Sequence, residues 1–477
     1  MLRSLAALVM TSALAGAAYA ADGSTKDGAS SPPSCFDSLW DYLNSSVRNC
    51  PLSVGPFTVY GTIDAAGGYQ EWGAPVGQNA DKSNFAIQRN SGDTHWLMSP
   101  NGLSTSTIGI RFAQKFYDDW EFIGVADAGF NPYSFRLING PQSQADNNTK
   151  TLVNQNTMFD SARAGQWDNG QGNFGVSNPV YGTLTFGRTI LLSSSALSAY
   201  DPVASVAFSQ IGFSAGYGAY GASPTSRINT ALTYRLTYND FRIAAQGQVG
   251  GYDEGNAAMS QWQGQLGMDI GKFSFDMIGG YAQNAVTYSS FSGSIPAALA
   301  GYDPDSILRA TLGDTAGMSF MARYKWEKFS FFAGDIIART TNPTSTYFPD
   351  GLNAIADGIY VPASAINTTN FTIPRVQNTV WTGLRYALRD DVDLASGVYW
   401  ETQNNFNTGV CTGSGTSTSN GRCAGGRYSY SFLAEYRPVP RITVYGGLMV
   451  STVYGGPASG FLHDQNVDPT VGLRFRF

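Results

Sequence analysis

Between residues 56 and 477 two kinds of connection take turns along the chain. Segments with period-two apolar patterning are joined by a turn of two to four residues, then by a long polar stretch, then by a short turn again. "INTALTYRLTY" turns at Asn239-Asp240 into "FRIAAQGQVGG". "QWQGQLGMDI" turns at Gly271-Lys272 into "FSFDMIGGYA", and "GMSFMARYKW" turns at Glu327-Lys328 into "FSFFAGDIIA". Alternation plus turn chemistry makes each pair a β-hairpin. The long connections, 131–169, 191–227, 286–315, 341–375 and 404–426, are rich in Gly, Ser, Asn, Asp and Thr. A soluble sandwich has no reason to alternate short and long so strictly. A barrel crossing a membrane does, because its two ends face different compartments.

Sixteen strands are expected, near 57–69, 105–116, 120–130, 170–178, 180–190, 228–238, 241–251, 261–271, 273–285, 316–326, 328–340, 376–388, 391–403, 427–437, 441–452 and 468–477. The fold class is therefore all-β, a 16-stranded antiparallel transmembrane β-barrel, with a periplasmic β-sandwich or propeller as the competing architecture. Composition agrees. Charged residues make up 13% against a usual share of about 25%, while 55 Gly, 28 Phe and 26 Tyr suit strands. The mean hydropathy of −0.16 is not that of helical spans. A net charge of −6 gives no basic footprint, which argues against nucleic acid as a partner.

Residues 1–20, "MLRSLAALVMTSALAGAAYA", carry Arg3, an apolar run and a small-residue site ending at Ala20. They read as a secretory signal; a membrane anchor competes, but the run is short for a span. Residues 21–55 form an extension ahead of the barrel domain at 56–477. In "CFDSLWDYLNSSVRNC", residues Phe36, Leu39, Trp40, Leu43 and Val47 fall at helical spacing and predict a short amphipathic docking helix. Four cysteines in an exported chain allow three connectivities. The local one, Cys35–Cys50 and Cys411–Cys423, closes two short loops and is preferred. No CxxC occurs and the two histidines, His95 and His463, lie far from the cysteines, so neither a metal nor a cofactor is called for.

Bilayer physics assigns the faces. A spanning sheet must close, with apolar side chains toward lipid and polar ones toward a wet lumen. The apolar parity includes Leu232, Trp262, Phe320, Phe432 and Leu473. The opposite parity carries Arg111, Arg235, Arg242, Arg323, Lys325, Arg385, Arg437 and Arg474 as expected pore lining. An arginine aimed at lipid near the midplane costs roughly 2–4 kcal/mol, so this segregation favours an aqueous bore.

Three local patterns extend the reading. "FTVYGTIDAAGGY" (57–69), "FGVSNPVYGTLTFGRT" (174–189) and "VGLRFRF" (471–477) occur in order and at matching spacing. Together with the strand rhythm over 56–477 they resemble the Gram-negative general diffusion porins, close to the alphaproteobacterial branch. The resemblance implies an outer-membrane homotrimer surrounded by lipid that passes small hydrophilic solutes and ions. It implies that the third long loop, 191–227, folds into the barrel, and that Phe477 ends an assembly signal. It implies a constriction in which wall residues Arg188 and Arg235 face an acid on that loop. Arg111 joins them by inner parity alone, and Asp201 is the single acid available on the loop. Arg188 shares parity with Leu184 and Phe186, so its inward aim requires a bulge or the strand's end.

Two other classes compete. An outer-membrane lipase needs a Ser-His pair at a lipid-facing rim; His95 and His463 fall in expected outer loops without strand partners of the right kind, so no enzyme is expected. A substrate-selective channel for phosphate or sugar needs an arginine ladder or an aromatic track. The inner parity offers neither continuously, and Trp381 and Tyr399 stand isolated.

Overall fold

The computed structural model describes residues 34–72, 89–90, 94–98, 101–133, 135, 155–156, 170–204, 207–211, 220, 226–291, 297–302, 307–345, 352–353, 360–411, 420–459 and 461–477. The expected signal at 1–20 and the polar lead that follows it lie outside these residues. Sixteen strands build one cylinder: β1 (Phe57–Gln70), β2 (Thr107–Tyr117), β3 (Trp120–Gly129), β4 (Gly172–Asn178), β5 (Gly182–Ile190), β6 (Arg227–Tyr238), β7 (Phe241–Gln248) and β8 (Ser260–Ile270), then β9 (Phe273–Ser290), β10 (Leu308–Trp326), β11 (Phe329–Thr341), β12 (Arg375–Arg389), β13 (Val392–Gln403), β14 (Gly425–Val439), β15 (Ile442–Gly455) and β16 (Gln465–Arg476). Each pairs antiparallel with the next. β1 also pairs with β16, Thr62 opposite Arg476 and Gly68 opposite Thr470, so the sheet closes and no open edge remains.

The short turns hold residues that tolerate a left-handed backbone. Asn239, Gly271, Asp118 and Glu327 all have positive φ at hairpin tips. The alternation then segregates the faces. Leu232 and Trp262 are 50% and 58% exposed on the outside, while Thr233 and Gln263 on the opposite parity are 2% and 5% exposed. Asp335 is an exception. It stands opposite Phe320 and Val380, both outward, and accepts a hydrogen bond of 2.6 Å from Asn378 Nδ2. This carboxylate departs from the rule that charges take the inner face.

Strand lengths differ from expectation at one end. β10 begins at Leu308 rather than 316, and β9 runs on to Ser290 rather than 285. Residues 308–315 are buried or half-buried on both faces, because loop residues Ile366–Asn367 pair alongside Ala310 and Thr311. A strand covered on both sides has no reason to alternate, so its sequence gives no period-two signal.

Both disulfides form as the spacing suggests, Cys35–Cys50 and Cys411–Cys423. Within the first loop the helix is shorter than expected: α1 spans only Leu39–Asn44, capped by the Ser38 hydroxyl accepting from the Asp41 amide. Its expected apolar face docks only in part: Leu43 and Val47 are half-buried. Phe36, Leu39 and Trp40 are exposed. Backbone carbonyls at the end of the helix and of the disulfide loop also dock, offering their remaining lone pairs. Arg441, fully buried beside the β14–β15 turn, donates to Tyr42 O and Cys50 O, each at 2.7 Å, and lies 3.8 Å from the Tyr42 ring centroid. No helix among the described residues is long and apolar enough to cross a membrane.

Candidate functional site: the segment inside the barrel

After β5 the chain forms α2 (Leu192–Tyr200) from "LSSSALSAY", a run of small and unbranched residues. Leu191 at its start offers no side-chain cap, and the wall of the barrel supplies one. Gln263 Oε1 on β8 accepts from the Ser193 amide at 2.9 Å, and Gln246 Oε1 on β7 accepts from the Leu192 amide at 3.3 Å. At the other end Trp381 Nε1 on β12 donates to Tyr200 O at 3.0 Å, and Arg323 on β10 reaches Ala199 O at 3.4 Å. The wall thus satisfies backbone groups at both ends of the helix, with a cation at the negative end of its dipole.

The chain beyond the helix reaches further around the cylinder. Asp201 accepts from the Tyr399 hydroxyl on β13 at 2.7 Å. Gln210 accepts from Ser429 on β14, and Phe208 meets the Tyr445 ring on β15 at 6.4 Å between centroids. The Ala207 amide donates to Gly102 O at 2.8 Å. That partner belongs to a loop clasped by Asp64, whose carboxylate accepts from the Leu103 and Ser104 amides, each at 2.9 Å, and from the Tyr445 hydroxyl at 2.6 Å. Tyr220 donates to Ile278 O on β9 at 3.0 Å and fills the space above Gly280 and Gly317. The described residues of this segment, 191–204, 207–211 and 220, thus touch inward side chains of β7 through β15.

Its contact surface is a single buried cluster. Leu192, Leu197, Val203 and Phe208 of the segment pack with Ile278, Met321, Ile336 and Leu433 of the wall. Burial also acts on Asp201: desolvation pushes its carboxyl from 3.8 up to about 6, against hydrogen bonds from Ser209 and Tyr399 that favour the charged form.

A family model described as Gram-negative porin matches residues 4–453. The chain belongs to that family. An anion-selective porin from Comamonas acidovorans shares the fold at a TM-score of 0.55 and 12% identity, covering 88% of this chain and 99% of that one. OmpT of Vibrio cholerae, an outer membrane protein, aligns at a TM-score of 0.53 and 12% identity over 90% of this chain and 99% of its own. A trimer form of OmpT aligns at 0.52 and 11% identity, over 89% of this chain and all of the other. Among curated proteins none matches this sequence. The porin resides in the bacterial outer membrane as a channel.

The expected site residues are scattered in this porin rather than gathered. Arg111 lies on the inner wall, stacked 4.0 Å from the Tyr60 ring centroid, and Tyr60 donates to Asp127 at 2.8 Å. Arg235 lies on the inner parity of β6, opposite Thr183 and Ala244. Arg188 follows Gly187, which has a φ of 130°, and binds Gly170 O at 2.8 Å and Asn229 near the upper rim. Asp201 faces the wall, with its carboxylate committed to Tyr399. Arg242 joins the segment through the Tyr200 hydroxyl and pairs with Asp269 and Asp276. Arg385 and Arg437 share Asp393, and Arg385 also pairs with Glu435. Lys325 lies two residues along β10 from Arg323 on the same face. His95 begins a short strand on the outer end of β1, and His463 stacks on Trp72 at 3.8 Å. Sequence reasoning passed over Trp381, Tyr399, Tyr445 and Asp64 as the seat of the segment. The available signal was aromatic residues on an otherwise polar parity, with glycines opposite: a Cβ on Gly334 would strike Trp381, and one on Gly472 would strike Tyr445.

Proposed function

We propose that the bore is a passive diffusion path for small hydrophilic solutes and ions, and that the described residues 191–204, 207–211 and 220 contribute its constriction. The observation that carries this reading is the anchoring of that segment to inner side chains of β7 through β15. The remaining passage then runs along the wall built from β2 to β6, where Arg111 and Arg235 stand, and these two arginines set the local field. Arg188 contributes to the rim and Asp201 to the seat. The transverse field rests on wall arginines rather than on an acid of the loop. The working unit is a homotrimer, in keeping with the trimer form described for OmpT, an outer membrane protein of similar fold.

Planar-bilayer recording of the purified protein tests this. Steady ohmic steps with permeation of small sugars in liposome swelling are expected. Absence of conductance, or passage of one solute to the exclusion of others of equal size, overturns it. A second reading, an anion-selective channel, is favoured by the crowding of arginines on β14 to β16.

A further inference from the structure

Where β14, β15, β16 and β1 approach the short-turn end, their inward positions fall in register. Thr443 stands opposite Arg474, and Arg474 opposite Asp64. One step lower, Arg476 donates its amide to Arg441 O and stands opposite Thr62. Arg437 occupies the same face of β14. The three carboxylates nearby already have partners. Asp64 takes backbone amides and the Tyr445 hydroxyl, while Asp393 and Glu435 serve Arg385, with Asp393 also serving Arg437. Arg441 holds the carbonyls of the disulfide-tied extension. Five arginines therefore face three side-chain carboxylates, and the carboxylate of Phe477 next to Arg476 leaves an excess of one positive charge.

Arg474 is the focus of that excess. Its side chain is 9% exposed, its Nε has no hydrogen-bond partner, and no ion pair engages it among the described residues. Asp64, opposite it in register, offsets part of its charge, while a buried Nε without an acceptor is costly. Arg476 lies two residues on, about 7 Å along the same face of the strand, and has no ion pair among the described residues either. Two planar donor forks at that spacing suit an anion with several oxygens and two charges.

We propose that Arg474 and Arg476, backed by Arg437, form a binding site for a doubly charged tetrahedral oxyanion, free phosphate or a phosphomonoester, in the vestibule between the constriction and the short-turn mouth. The site rests on the reading of this barrel as a diffusion channel and adds a station for one solute class along it. Solutes crossing the constriction meet it next, and its occupancy lowers the current carried by small anions such as chloride.

The test is single-channel recording of the full protein in chloride, with inorganic phosphate added to the short-turn side. Phosphate is expected to reduce the chloride current in a saturable way. Arg474→Gln weakens that block by about tenfold, as loss of a charge-assisted contact does. Arg476→Gln, at a more exposed position, does the same, and the Arg476→Lys variant keeps anion preference in a salt gradient while losing block. Glucose 6-phosphate in place of phosphate separates the two sources: equal block assigns phosphomonoesters, and block by phosphate alone assigns the free ion. Wild-type channels that conduct but ignore phosphate overturn the site while leaving the diffusion reading intact. So does unchanged block in both glutamine variants, each shown to be folded by its heat-modifiable migration. A protein that forms no channel overturns the diffusion reading instead.

Discussion

Two parts of this chain are fastened to the barrel from within or below, and they are fastened in opposite ways. The segment that begins with α2, proposed above as the constriction, is held by a buried apolar cluster and by hydrogen bonds to many strands. The disulfide-tied extension is held by one arginine, a covalent loop and a three-residue strand, Leu52–Val54, paired with the start of β1. Its large apolar residues stay in contact with solvent. Distributed burial fixes position to within a side chain's slack, because cores are close-packed. A single polar clamp fixes only an attachment point. The first arrangement suits a part that sets the width of a pore; the second suits a part that can leave without altering it.

The largest expected effect comes from attacking the distributed seat. Trp381→Ala removes a fully buried ring and the bond to Tyr200 O, and costs about 3–5 kcal/mol at the seat. Larger and noisier single-channel steps are the expected result; steps of wild-type size and quietness would show that the segment does not need its wall anchors.

Acidity probes the same seat more gently. The carboxyl of Asp201 titrates near 6 when docked, above its ordinary 3.8, because burial disfavours the charge. The docked state thus binds the proton more tightly than the released state. Docking strengthens as pH falls through about 6 and weakens as pH rises through it. Channel noise is expected to drop between about pH 7.5 and 5 in wild type. Asp201→Asn keeps the acceptor for Tyr399 and should stay quiet throughout. A wild-type record that is flat across this range, or a variant that keeps the transition, contradicts the assignment.

The single clamp predicts a weaker outcome. Arg441→Ala should free residues 35–50 to proteolysis while conductance stays at the wild-type value. A marked rise in conductance would place the extension in the solute path and erase the contrast drawn above. The smallest effect is expected outside the barrel altogether. Asp335→Leu replaces a carboxylate on the outward face, where acids cost less than the roughly 2–4 kcal/mol of a basic group. A slight rise in the urea needed to unfold the protein in lipid vesicles is the outcome; a loss of stability would mean that the Asn378 bond outweighs solvation by lipid.

Most strands were legible because they carry their own evidence, although those near 120–130, 170–178 and 328–340 alternate poorly. "LTYRLTY" and "QWQGQLGMD" alternate against a bilayer boundary, and Asn239 or Gly271 marks the turn without reference to anything distant. The seat of the segment that begins with α2 was not legible in the same way. Trp381 reads as an isolated aromatic until Tyr200, 181 residues earlier, is brought beside it. Asp201 reads as a pore acid until Tyr399 claims it. Arg188 is placed by the backbone at Gly187 and by Gly170 and Asn229, which belong to other loops. Phe36, Leu39 and Trp40 have the spacing of a docking face, but a six-residue helix held by its carbonyls leaves them outside. Periodicity reports which side of a strand is wet. It does not report what else occupies the wet side.

The seam between β1 and β16 has a further consequence for how the molecule is made. Ile63 pairs with Phe475, and Gly61 exchanges both backbone hydrogen bonds with Phe477, whose ring lies where a Gly61 side chain would stand. These partners stand at opposite ends of the sixteen-strand order, so any partly built sheet carries two raw borders until this seam engages. Contacts of such long range form slowly. Closing this seam, which joins residues about 400 apart, is therefore expected to be a slow step in building the cylinder.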